Sequence, residues 1–64
     1  SVVENFISAA VMGKLETVTI IHGKGTGALR KAVHAILRRS RAVKDFRLGV
    51  YGEGESGVTV VTLK

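Results

Sequence analysis

Ile20-Ile21-His22-Gly23-Lys24-Gly25-Thr26-Gly27-Ala28-Leu29-Arg30 is a β-branched run that ends in three glycines spaced two apart and then opens into an amphipathic segment. It reads as strand, loop and helix in succession. Glycines accept positive φ and let a ligand approach the backbone closely. These glycines stand where a helix begins, with unpaired N–H groups and the positive end of the helix dipole. Such a junction suits a bound phosphate. Lys24 adds a mobile positive charge, and Arg30, one turn into the helix, is placed for a forked phosphate contact. The bland alternative is a tight turn that needs glycine for geometry only. Three glycines plus a lysine exceed that need.

Outward from the loop, residues 28–40 carry Leu29, Ala32, Val33, Ile36 and Leu37 at the spacing of one buried helical stripe. Arg30, Lys31, His34, Arg38 and Arg41 fall on the other faces, and His34 is expected to face solvent. Upstream, residues 16–22 are β-branched and read as a strand. Residues 2–13 place Val2, Val3, Phe6, Ile7, Ala10 and Val11 at helical spacing, with Gly13 as the stop. Downstream, residues 43–50 read as a strand in which Phe46, Leu48 and Val50 alternate with Arg47 and Gly49, and Phe46 is expected in the core. Tyr51 to Gly57 reads as a turn. The near-continuous apolar run at 58–63 suits the centre of a sheet.

The order α-β-α-β-β predicts an α/β, or α+β, two-layer sandwich with two helices and a small mixed sheet. The strands near 18 and 45 are joined through a helix and should run parallel. The last two, joined by a turn, should be antiparallel.

Sixty-four residues allow one domain with a marginal core. The chain is 45% hydrophobic, which argues against disorder. It has no cysteine, which excludes a disulfide framework and any cysteine metal site and makes a reducing cytoplasm the default compartment. No apolar stretch approaches the roughly 20 residues that span a membrane, and no signal-peptide pattern opens the chain. Without an initiator methionine it reads as an excised domain.

The net charge is +5. Lys24, Arg30, Lys31, Arg38, Arg39, Arg41, Lys44 and Arg47 all lie within residues 24–47, where only Asp45 opposes them. A basic block beside a neutral-to-acidic remainder points to a polyanion face, with a solvated helix surface as the plain alternative.

Two familiar phosphate motifs fit poorly. Gly23-Lys24-Gly25-Thr26-Gly27-Ala28 matches the loose dinucleotide fingerprint, and Asp45 follows at about the right distance. Yet Asp45 precedes its strand's apolar residues, and the chain is too short for two nucleotide-binding halves. A Walker loop is excluded, because no glycine-lysine-serine/threonine closes the run. His22, beside the loop, has two readings: an acid or base near neutral pH, or a ring that orders the loop by hydrogen bonding. His22 and His34 are not at ligand spacing and the acids are scattered, so no metal site is visible. Glu53 and Glu55 fit a solvated turn better than a role flanking a cation or contacting a base, and Tyr51 either stacks on a base or packs against that turn.

His22-Gly23-Lys24-Gly25-Thr26-Gly27-Ala28-Leu29-Arg30, preceded by Val18-Thr19-Ile20-Ile21, closely resembles the Smr (small MutS-related) domain. Phe46-Arg47-Leu48 and the segment from Gly52 to Val61 resemble the same domain's ending. The likeness covers nearly the whole chain and is greatest to the C-terminal domain of the bacterial MutS paralogue that acts outside mismatch repair. It implies a fold similar to the C-terminal domain of translation initiation factor three, with the last strand inside the sheet and antiparallel to its neighbours. It implies binding of DNA or RNA, and a nicking endonuclease activity in the intact family. It also implies a cytoplasmic parent protein, homodimeric through other domains, that suppresses recombination and engages stalled ribosomes. ATP belongs to that parent's ATPase. No cofactor is specified by this chain, and a divalent metal is left open.

One departure stands out. Smr domains usually begin with an edge strand bearing Leu-Asp-x-His/Arg-Gly, whose aspartate is implicated in cleavage. This chain starts within the first helix, so residues 1–64 are expected to be a single Smr domain lacking that strand and its acid. The glycine motif carries over as His22, Gly23, Lys24, Gly25 and Gly27, with Arg30 as the basic position after it.

The leading expectation is a nucleic-acid-binding domain related to nucleases. Gly23, Lys24, Gly25, Thr26, Gly27 and Arg30 grip a phosphate, and Lys31, Arg38, Arg39, Arg41 and Lys44 extend the track. His22 and Lys24 are the catalytic candidates. The rival from another class is a non-catalytic module that docks on ribosomes or structured RNA. A small-molecule phosphate binder ranks third, since the chain is too small to enclose the usual pocket.

Overall fold

In the computed structural model, which describes residues 1–64, helix α1 covers Val2–Met12, strand β1 Thr17–Ile21, helix α2 Ala28–Arg39, strand β2 Val43–Leu48 and strand β3 Val58–Leu63. Ser1 starts α1 with a capping box: its hydroxyl accepts the Glu4 N–H, while the Glu4 side chain reaches back to the cap backbone. Gly13 ends α1 in an ordinary right-handed conformation, and it is Lys14 that turns the chain, with φ 58°. A single 3-10 turn, Glu55–Gly57, leads into β3.

The sheet order is β1-β3-β2, and both ladders are antiparallel. β1 and β2 do run the same way, as a helical crossover requires. They are not neighbours, however, because β3 lies between them. The expected mixed sheet is therefore corrected to one with antiparallel pairing throughout. The reason lies in β3, whose apolar run claims the central place. Val18 pairs with Val61 on one side and Phe46 pairs with Val61 on the other. Lys44 forms a bulge: Val43 faces Leu63 and Asp45 faces Thr62, so β2 uses one extra residue there.

The core is Ile7, Ala10, Val18, Val33, Leu37, Val43, Val61 and Leu63, with Val3, Ile20, Ala42 and Phe46 packed against it. Alternation along β3 puts Thr59, Val61 and Leu63 on the helix-covered face. Several apolar residues expected in the helical stripes lie outside the core. Val2, Phe6, Val11 and Leu29 are exposed, as is Ala32. Val2 and Phe6 line an apolar recess with Ile20 and Ile21 along β1, which is an edge strand with nothing packed beyond it. β2 ends at Leu48, and Val50, expected in the strand, is exposed. No helix is long and apolar enough to cross a membrane.

Candidate functional site

Three chain segments meet at one end of the sheet: the end of β1, the start of α2 and the start of β3. The backbone fixes the junction. The N–H groups of His22 and Gly23 both donate to the Gly57 carbonyl, at 3.1 and 2.8 Å, and so tie the loop to the turn before β3. Gly23, Gly25 and Gly27 all have positive φ, at 78°, 39° and 87°. Gly27 is the N-cap of α2 and offers no side chain to the helix start. Only Ala28 N–H finds a local acceptor, the Thr26 hydroxyl at 3.4 Å. The N–H groups of Lys24, Gly25, Thr26, Gly27, Leu29 and Arg30 donate to nothing within the chain. The loop encloses a concavity of about 260 Å³ lined by residues 22–30.

Both cations stand at this concavity. The Arg30 guanidinium folds back over the loop, so that a β-carbon on Gly27 would lie 2.7 Å from its Nη2. Lys24 Nζ is 3.3 Å from a Glu55 carboxylate oxygen, and both side chains are well exposed. An exposed pair of this kind contributes about 0–1 kcal/mol and yields readily to a competing anion.

His22 is 8% exposed and both ring nitrogens are engaged. Nδ1 is 2.9 Å from the Gly23 carbonyl and Nε2 is 2.8 Å from the Thr59 hydroxyl. This is the arrangement of a ring that orders the loop. His34, expected in solvent, is instead half-buried, with Nε2 2.7 Å from the same Thr59 hydroxyl and its ring against Phe46 at 4.8 Å. The helical stripe misled here because His34 stands at its margin, next to Val33 and Leu37, where an imidazole can reach β3. Burial holds the His34 imidazole below its ordinary pKa of 6.5, and neighbouring His22, Arg38 and Arg30 push the same way.

The other basic residues divide between the two ends of α2. Lys31 lies near the loop. Arg38 and Arg39 lie about 16 Å away in the last turn of the helix, Arg41 follows just beyond it, and Lys44 sits in β2 beside Glu16 and Lys64. The arginines diverge: Arg38 sits 5.9 Å over the Phe46 ring, while Arg39 and Arg41 line a groove against α1. Arg47 is tied to Glu53 at 2.8 Å, and Glu53 also accepts the Val50 N–H, so this acid builds the turn after β2. The arginine holds the Glu53 carboxyl down to a pKa of about 2. Tyr51 is exposed in that turn, at the same end of the sheet as the glycine loop. No group of three or more His, Asp or Glu side chains converges.

Fold and loop together define a small α+β domain with a glycine-rich loop of unpartnered amides at a helix start. The particular family follows from comparison: the Smr domain model matches residues 1–64, and the chain belongs to the Smr family. It is 45% identical over 64 residues to Endonuclease MutS2 of Agathobacter rectalis, covering all of this chain and 8% of that protein. It is 58% identical over 62 residues to Endonuclease MutS2 of Caldicellulosiruptor bescii, covering 97% of this chain and again 8% of the relative. The chain thus spans about 8% of the length of the curated relatives it matches. The Smr domain of Thermus thermophilus MutS2 has a TM-score of 0.94 at 45% identity, over 97% of this chain and 78% of that one. YdaL, a stand-alone small MutS-related protein from Escherichia coli, has 0.81 at 29% identity, over 94% and 50%.

Proposed function

We propose that this chain is a nucleic-acid-binding module whose glycine loop holds a backbone phosphodiester, and that it contributes to strand nicking within a longer MutS-like protein. The observation that carries this reading is the run of unpartnered amides from Lys24 to Gly27, continued by Leu29 and Arg30, with two cations beside it. Amides and dipole together favour an anion such as a phosphodiester. The relatives' name, Endonuclease MutS2, agrees with a phosphodiester substrate.

Binding rests on phosphate contacts and so discriminates weakly between sequences. Helix α2 is about 16 Å long, which corresponds to the axial rise of about five base pairs of a duplex. A backbone lying along the helix therefore reaches from Arg30 and Lys31 to Arg38.

In the nicking step, water attacks phosphorus, the bond to one ester oxygen breaks, and the proton lost by the water ends on that leaving oxygen. Lys24, Arg30 and the loop amides stabilise the charge that builds on the phosphoryl oxygens. His22 serves by holding the loop. For it to act as acid or base at Nε2, Thr59 must change its hydrogen-bond partner.

The test is binding of a labelled duplex over a range of salt, paired with nicking of supercoiled plasmid by the chain and by Lys24→Ala and His22→Ala. Affinity that falls steeply with salt and drops in Lys24→Ala is expected. Salt-insensitive binding, or cleavage undiminished in both variants, contradicts the proposal. Competition with ribosomes and structured RNA separates the docking alternative, which a wide margin in their favour would establish.

A further inference from the structure

Three hydrogen bonds, two at the Thr59 hydroxyl and one at the Gly23 carbonyl, assign every proton in the network when both imidazoles are neutral. A carbonyl only accepts, so the 2.9 Å contact from His22 Nδ1 to the Gly23 carbonyl requires a proton on Nδ1. Neutral His22 then has a bare Nε2, which accepts the proton of the Thr59 hydroxyl at 2.8 Å. That hydroxyl has one proton, now committed. Its 2.7 Å contact with His34 Nε2 is therefore one it accepts, and His34 carries its proton on Nε2. Thr59 is fully buried at 0% exposure, so water offers no substitute partner. The two imidazole rings stand edge to face at 82° with centroids 6.0 Å apart, both directed at one oxygen.

The far end of this chain is locked as well. His34 packs on Phe46, and Arg38 stacks over that ring. The near end acts on the loop. Peptides are planar and trans, so C=O and N–H of one unit point in opposite directions. Drawing the Gly23 carbonyl toward His22 turns the Lys24 N–H away from it, and that N–H has no partner in the chain.

We propose that Thr59 and His34 are positioning residues for the glycine loop: they fix the tautomer of His22, which in turn holds the Gly23–Lys24 peptide with its N–H presented to an anion. The hydrogen-bond order stands on its own, and only its consequence for binding rests on the phosphate reading above.

Ring-nitrogen correlation spectra of the free chain at neutral pH read the tautomers directly. His22 protonated on Nδ1 and His34 protonated on Nε2 are expected, and His22 protonated on Nε2 would overturn the proposal. Variants carry the consequence. Thr59→Val removes the hydroxyl at nearly constant shape, and His34→Leu removes the donor. Each should weaken binding of a labelled duplex about three- to tenfold, the worth of one lost hydrogen bond. Thr59→Ser and His34→Gln, which keep a hydroxyl and an N–H donor, should restore it. If Thr59→Val does not fold, the His34 pair carries the test alone. Unchanged affinity and an unchanged His22 tautomer in His34→Leu overturn the proposal. A chain that shows the expected tautomers yet binds no nucleic acid overturns the phosphate reading and leaves the hydrogen-bond order standing.

Discussion

Lys24 Nζ lies 3.3 Å from the Glu55 carboxylate, so the lysine of the glycine loop is already paired with an acid from the turn that precedes β3. An incoming phosphate must displace that acid, and the two anions then repel one another. Glu55→Gln removes both effects. Because an exposed pair contributes about 0–1 kcal/mol, the gain should be about two- to fivefold in duplex affinity at low salt. Fluorescence anisotropy checks it, and weaker binding by the variant would show that Glu55 supports the site.

Gly27 tests the geometry of the helix start. Its φ is 87°, and an added β-carbon would meet Arg30 Nη2 at 2.7 Å. Gly27→Ala should cost about 1–2 kcal/mol of stability through left-handed backbone strain and also displace Arg30. Gly25, with φ 39° and open space around it, offers the contrast: its alanine variant strains the backbone without touching Arg30. Urea unfolding should find both variants destabilised, and duplex binding should fall further in Gly27→Ala. A domain of this size has roughly 0.05–0.15 kcal/mol of stability per residue, so both should remain folded.

The strand and helix order was legible because periodicity reports burial directly. Val33 and Leu37 are buried as their spacing demands, and the run from Val58 to Leu63 does occupy the sheet centre. The glycine motif likewise announced a loop at a helix start. What stayed hidden depends on contacts between distant elements. Nothing local to His34 signals that it meets Thr59 and Phe46, because those partners come from β3 and β2. Nothing local to Glu55 signals Lys24, which comes from the loop after β1. Periodicity also overstates burial where no partner exists, as at Val2, Phe6 and Leu29. The positive charges were legible, but their division between the two ends of α2 required the fold.

Acid should destabilise the fold in two windows. The folded His34 has a lowered pKa, so below about 6.5 the unfolded chain takes up a proton that the folded chain resists. The melting temperature should fall as pH drops from about 6.5 toward the lower folded value, and His34→Gln should flatten that decline. Glu53 ionises at about 2 when folded against 4.5 as a free group, so its pairing with Arg47 is intact above 4.5 and lost as pH falls toward about 2. Thermal melts across pH measure both. A melting temperature insensitive to pH between about 7 and 5 would contradict the placement of His34.

Salt dependence counts the phosphates engaged. The slope of log affinity against log salt is about −0.9 per phosphate neutralised on duplex DNA. Lys24→Ala and Arg30→Ala should each make it shallower by about one contact. Arg38→Ala should do the same if the backbone follows α2 along its length. Arg39→Ala and Arg41→Ala, whose side chains line the groove beside α1, should change it less.

The most direct test is a titration of the isotope-labelled chain with duplex DNA, followed through its backbone amide resonances. The amides of Lys24, Gly25, Thr26, Gly27, Leu29 and Arg30 should shift first and furthest, because they are the free donors at the start of α2. Shifts confined to other surfaces, with these amides unmoved at saturation, would contradict the account.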